Sequence, residues 1–246
     1  WCVLAASVAA AQTGTVERMP DAAGRVVVIV NENVPESIEI GRAYAARRGI
    51  PESNILRVKT TDKEVMPWAE FREQIEKPLV DFVVTIPDAL FVVPVYGVPL
   101  KIAEEDPVND APKDEPDNSI TKFVTNRDYA CVDAEIALVP RHGHDIEGWL
   151  DSEVFGKDER ITPAHKLFLV SRLDGPTPAI ARALVERALA AETYGLVGEA
   201  YVDSRGLDAK SPWFPTDEEI RGTAKVFAKF GMTSHGEDTA AAQDVS

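Results

Sequence analysis

Six residues of this sequence fall where an α/β protein does its chemistry: Asn31, Gly97, Asp133, Arg172, Asp174 and Asp203. Five of them follow apolar runs that read as strands. In open parallel sheets, ligands bind outside the carboxyl ends of the strands. Asp133 instead opens the segment Val132–Val139, which reads as a helix. Glu135 lies two residues further on and points in a different direction from a helix, so Asp133 is the one able to meet a cleft. Carboxylates beside an arginine can bind a cation, polarise water or hold a peptide amine. The same residue types also serve as helix caps and turn residues. In that case each would face solvent alone, and the spatial gathering of Asp133, Arg172, Asp174 and Asp203 decides between the two readings.

Other chemical signals are thinner. His142-Gly143-His144-Asp145 places two imidazoles and a carboxylate together, but a zinc site needs a further ligand distant in sequence. The acid-rich stretch 104–118, EEDPVNDAPKDEPDN, lacks the glycine and the terminal glutamate of a calcium loop. No metal site is therefore expected. Cys131 would need a histidine beside it to act as a nucleophile, and a small cysteine in an apolar segment also suits packing. Whether Cys131 or the His142/His144 loop has a chemical role stays open at this level. The first strand is followed by NENVPES, with no glycine to admit a pyrophosphate. There is no G-x-x-x-x-G-K-S/T loop, no G-x-S-x-G elbow and no H-E-x-x-H helix, and no cofactor is expected.

The elements that must position these residues follow from periodicity. RVVVIV at 25–30 is a continuous β-branched run, suited to a strand buried on both faces. Pro35 opens a helix with Ile38, Ile40, Tyr44 and Ala45 on its inner face, and Gly49 can end it in the left-handed conformation. NILRVKT at 54–60 is a second strand, and a short helix runs from Pro67 to Lys77 with Pro78 beyond its end. ALFVVPVYG at 89–97 is a third strand, placed at an edge or a bulge because Pro94 lacks a donor. HKLFLVSRLDG at 165–175 is a fourth, followed by a helix from Pro178 with Ile180, Leu184, Ala188 and Leu189 as its stripe. GLVGEAYVDSRG at 195–206 is a fifth. Thr216 and Glu219 have capping-box spacing ahead of a stripe at Ile220, Ala224 and Phe227. The alternation predicts an α/β fold: a doubly wound, mostly parallel open sheet with helices on both faces, Rossmann-like or caspase-like, cut at both ends.

Residues 1–11, WCVLAASVAAA, are apolar and uncharged, with small residues at Ala9 and Ala11. They read as the rear part of a secretory signal peptide, cleaved after Ala11. The run is too short to span a bilayer, so no stable membrane span is expected in the mature chain. Residues 12–24 read as a linker and 25–246 as a single α/β domain, with 104–118 as a surface insertion. The net charge of −15 repels nucleic acid. A secreted or periplasmic location follows from the leader.

VVVIVNENVPESIEIGRAYAARRGIPESNIL, FVVPVYGVPLKI, CVDAEIALV and FLVSRLDGPTPAIARALVERAL together resemble a family of exported bacterial proteins found in genomes that carry exosortase, a membrane protein-sorting transpeptidase. The resemblance covers most of residues 25–231. It implies a place among exported-protein or envelope polysaccharide systems, and it implies no particular reaction. The family carries serine where this chain has Cys131, which weakens a thiol mechanism. The expected strand order is also similar to caspase and gingipain-like peptidase domains. Their histidine is missing at Tyr96-Gly97, and no cysteine follows the strand at 166–171. The resemblance implies an exported accessory or binding domain, and the strand-end residues place its ligand at the carboxyl edge of the sheet. The alternative is a peptidase-like hydrolase using the strand-end carboxylates.

Overall fold

The computed structural model describes residues 22–103, 130–141, 160–195, 198–229 and 231–238. The expected leader, most of the linker, the acid-rich stretch 104–118 and the His142/His144 loop lie outside them. The chain divides into two compact units, Arg18–Glu186 and Trp1–Glu17 with Arg187–Ser246.

In the first unit the β-branched run forms β1 (Val26–Asn31) at the centre of a parallel sheet. On one side lies β2 (Ile55–Val58) and on the other β4 (Phe91–Pro94), with β7 (Leu169–Val170) beyond it. A strand covered on both faces has no polar alternation, and Val27 to Val30 are all buried. Val27 and Ile29 pack into a cluster with Phe71, Ile75, Leu79 and Ile136. Val28 and Val30 face α1 (Pro35–Arg48) across Gly41, where an added Cβ would lie 2.3 Å from Val30 Cγ1. The helix thus lies closer to the sheet than a side chain at this position would allow. That close approach sets its buried face as Ser37, Ile40, Gly41 and Ala45, with Ile38 and Tyr44 half-buried at the flanks. Gly49 ends α1 at φ 67°, as expected, and the Ile50 N–H closes the cap on Ala45 O at 2.9 Å.

Two proline expectations need correcting. Pro94 is not at an edge: β4 is central, and the proline is its last residue, where its carbonyl still accepts from Leu173 N–H at 2.9 Å. Pro78 does not lie beyond its helix. α2 (Trp68–Phe71) passes through a π turn at Arg72–Glu76 into α3 (Lys77–Val83), whose second residue is that proline. The wider turn shifts the hydrogen-bond register just where a proline would break a regular helix.

A smaller sheet, in the order β3-β5-β6, joins β3 (Val65–Met66) in parallel to β5 (Lys101–Ile102), and β5 antiparallel to β6 (Ala130–Cys131). β6 runs directly into α4 (Val132–Leu138), which buries Val132 and Ile136 as its spacing predicts. After β7, α5 (Pro178–Tyr194) starts at the expected proline but buries Ala181 and Val185. Ile180, assigned to the inner face, is 43 % exposed. It lies over Gly175, where a Cβ would come within 2.8 Å of its Cγ2. Pairs Arg182–Glu39 and Arg47–Glu186, at 2.9 and 2.8 Å, link α5 to α1 across the surface.

The second unit is a β-α-β motif of β8 (Ala200–Ser204), α6 (Phe214–Lys229) and β9 (Ser234–Asp238), with β8 and β9 parallel. The strand at 195–206, expected as a further strand of one open sheet, pairs with β9. The composition of β9, SHGED, gives no strand signal. Thr216 is inside α6 rather than at its cap, and Ile220 is exposed. Among the described residues no helix is long and apolar enough to cross a membrane. The architecture is an open, mostly parallel α/β sheet with helices on both faces, as expected.

Asp217 organises the loop ahead of α6. It is buried, and its carboxylate accepts the Arg205 and Leu207 backbone N–H groups at 2.7 and 3.0 Å and Arg221 at 2.6 Å. The Arg205 N–H, followed by Arg221 and the Leu207 N–H, holds its pKa below the usual carboxylate value against the opposing effect of burial. A depressed folded pKa adds stability that is present above the unfolded value, about 3.9, and lost as pH falls through the folded one. Acid below about pH 4 is expected to speed amide exchange at Arg205 and Leu207, and Asp217→Asn to remove that acid step. Identical acid profiles for the two proteins would show that Asp217 does not hold the loop.

Candidate functional site

The chain leaves β1 for β2 on one side and returns to β4 on the other. The carboxyl edge between β1 and β4 is therefore the switch point, where an open sheet usually leaves a crevice. Here that crevice is filled. Asn31 is buried, and its amide donates to Thr61 O at 3.0 Å and Gly97 O at 2.8 Å. Its Oδ1 accepts from the Asn33 and Thr60 N–H groups at 3.1 and 3.4 Å. Its own backbone N–H donates to Ser37 Oγ at 3.0 Å. Gly97 sits at φ 83°, and a Cβ there would lie 3.0 Å from Val34 side-chain atoms. Asn31 and Gly97, both expected at a ligand, instead tie the ends of three strands together.

One strand further along, the edge is differently built. Arg172, just past β7, is the hub. Its Nε donates to Asp133 Oδ1 and Oδ2 at 3.0 and 2.9 Å, and its Nη2 to Asp133 Oδ1 at 2.5 Å and Pro99 O at 2.9 Å. Nη1 donates to Val98 O at 2.7 Å and lies 3.6 Å from Asp174 Oδ2. Asp174 Oδ1 accepts the Gly175 N–H at 2.7 Å. The planar guanidinium thus fixes α4, the turn after β4 and the end of β7 in one step, a task suited to its fork of donors. Its side chain is only 13 % exposed, against 27 % for Asp133 and 21 % for Asp174. Two carboxylates share one guanidinium, leaving the cluster one negative charge in excess.

Asp133 and Arg172 form one wall of a groove of about 410 Å³, completed by Leu100, Lys101, Ile102, Ala130 and Cys131. Asp133, Arg172 and Asp174 are in contact, but only the first two line the groove, short of the three expected to line one pocket. Asp203 belongs to the other unit, exposed on β8. On that unit His235 stacks on Tyr201 with ring centroids 5.1 Å apart, and its Nε2 lies 2.8 Å from Glu199 Oε2. His165 closes a capping box with Thr162 in a short turn. Cys131 is an exposed free thiol, not a packed one. Among the described residues no group of three or more His, Cys, Asp or Glu could hold a metal.

Lys101 was not singled out in the sequence. It stands on a two-residue strand, and such a strand has no period to read. The one available signal is adjacency, since it follows the Val98-Pro99 turn that Arg172 holds. Comparison of the chain with protein-family models, with curated proteins and with solved structures finds no match.

Proposed function

We propose that the chain is an exported binding domain whose ligand sits in the groove at the carboxyl edge of the sheet, against Asp133. The observation that carries this reading is the position of the Asp133–Arg172 pair. It is a held, partly exposed carboxylate in the wall of an open groove, beside a second carboxylate that leaves the cluster negative. Arg172 is no anion receptor, because Asp133 and two backbone carbonyls take its donors. The leader-like start supports export, and the likeness to the exosortase-associated family supports an accessory role in an exported-protein or envelope polysaccharide system. A peptidase-like hydrolase would need a carboxylate free to move a proton. Both oxygens of Asp133 accept from Arg172, and Asp174 Oδ1 accepts from Gly175, which favours binding over catalysis.

Cys131 supplies the readout, since it is an exposed thiol in the groove. A panel of amino acids, short peptides, polyamines and oligosaccharides should contain at least one class that slows its alkylation by iodoacetamide. A peptidase screen with and without divalent metals should give no turnover. Alkylation indifferent to every class, or metal-dependent cleavage abolished by Asp133→Asn, would remove the binding reading.

A further inference from the structure

Lys101 and Cys131 stand directly opposite each other where β5 pairs antiparallel with β6. The Lys101 N–H turns away from this partner and donates to Glu64 O at 2.9 Å, while the Val132 N–H donates to Leu100 O at 3.0 Å. The two residues therefore form a non-hydrogen-bonded pair, the class in which opposite Cα atoms approach to about 4.5 Å. Side chains of opposite residues lie on one face of a sheet, with Cβ atoms about 4.5–5.5 Å apart. Both side chains here are exposed, and both line the groove. The thiol sits one bond beyond its Cβ and the amine four beyond its own, so the two can meet across the gap without a backbone shift. Asp133, the acid of the same lining, gives both oxygens to Arg172. Cys131 is the single cysteine among the described residues, and the nucleophile opposite it is an amine rather than a second thiol.

We infer that Lys101 and Cys131 are a site of reversible oxidative cross-linking, with hydrogen peroxide as the oxidant and an S–N bond as the product. Peroxide oxidises the Cys131 thiol to a sulfenic acid and is itself reduced to water. The unprotonated Lys101 Nζ then attacks Sγ. Its lone pair forms the S–N bond, the S–O bond breaks, and the departing hydroxide takes a proton from the nitrogen and leaves as water. Sulfenic acids condense with a backbone nitrogen in the same way. Direct opposition on the sheet lets the amine compete with a second peroxide, which would carry the sulfur on to sulfinic acid. One equivalent of a dithiol reverses the link: the dithiol becomes a disulfide, and thiol and amine are restored. The bond ties β5 to β6 within the lining of the groove, and its formation does not depend on what the groove binds.

The test treats the whole chain with hydrogen peroxide at mildly alkaline pH, followed by proteolysis and mass spectrometry without reduction. The peptide carrying Lys101 is expected joined to the peptide carrying Cys131, about 2 Da lighter than the sum of the two. A dithiol should separate them and return an alkylatable thiol. Lys101→Arg keeps the positive charge at an exposed position but lacks the amine. It should lose the link and accumulate sulfinic acid at Cys131 instead. Peroxide added in guanidinium chloride should give no link in the wild-type chain, because the strand pairing that opposes the two residues is gone. Cys131 going to sulfinic acid alike in wild type and Lys101→Arg would overturn the inference. A disulfide to Cys2 or to a second copy as the main product would do the same. A link that forms equally well in denaturant would overturn it too, since the pairing in the sheet would then play no part.

Discussion

Asn31→Leu is expected to lower stability by about 4 kcal/mol or more. The side chain serves two carbonyls and two backbone N–H groups, those of Thr61, Gly97, Asn33 and Thr60, and leucine answers none of them. Each buried polar group left without a partner costs roughly 1–3 kcal/mol. Partial relaxation and entry of water keep the sum below the arithmetic maximum. Asn31→Asp gives a second, sharper outcome. The near-isosteric carboxylate would face the Thr61 and Gly97 carbonyls, so its pKa must rise in the folded state. A raised folded pKa makes the variant relatively more stable in acid, and that advantage is lost as pH rises through the folded value. Urea unfolding at pH 4.5 and pH 8 checks both variants. Asn31→Leu within 1 kcal/mol of wild type, or Asn31→Asp equally stable at both pH values, would contradict the account of the filled crevice.

Arg172→Met should cost about 1–3 kcal/mol, because it leaves the half-buried Asp133 carboxylate and two backbone carbonyls without their donor. Asp133 and Asp174 would then face each other across the gap, and the Val98 and Pro99 carbonyls would lose their donors. Arg172→Lys keeps the charge without the fork, and should recover only part of the loss. Asp133→Leu added to Arg172→Met should cost less than the two single losses summed, because the pair fails as a unit. Additive losses would show that Arg172 and Asp133 are neighbours without coupling. Both variants should also open the groove, since the turn carrying Val98 and Pro99 leads directly into Leu100 and Lys101.

The features legible in the sequence were those with long or uniform patterns. The valine run of β1, the helix ended by Gly49, and the Val132–Ile136 stripe all carry their own signal. Burial of small residues was harder to foresee. Ala181 and Gly41 face inward where larger neighbours seemed the better candidates, because close approach of backbones favours a missing side chain over an apolar one. The cluster was legible in part. Strand-end position marked Arg172 and Asp174, and the order of Asp133 and Glu135 singled out the acid that Arg172 holds. That they touch depends on pairings across 39 residues, which no local pattern encodes. Asp203 carried the same strand-end signal on a strand that pairs with β9, since a strand end does not identify its sheet. Asn31 shows the remaining ambiguity: a polar residue closing an apolar run reads the same whether it meets a ligand or fills the crevice itself.

The two classes of ion pair differ in how they answer to ionic strength. The links between α1 and α5, Arg182–Glu39 and Arg47–Glu186, join side chains more than half exposed. Exposed pairs of this kind contribute about 0–1 kcal/mol, and at physiological salt the screening length is only about 8 Å. The Arg172 clamp is shielded from that atmosphere and is hydrogen-bonded to uncharged carbonyls as well. Rising salt therefore loosens α5 from α1 while the groove wall keeps its shape. Where salinity follows the surroundings, the clamp around Arg172 stays constant while the link between α1 and α5 varies.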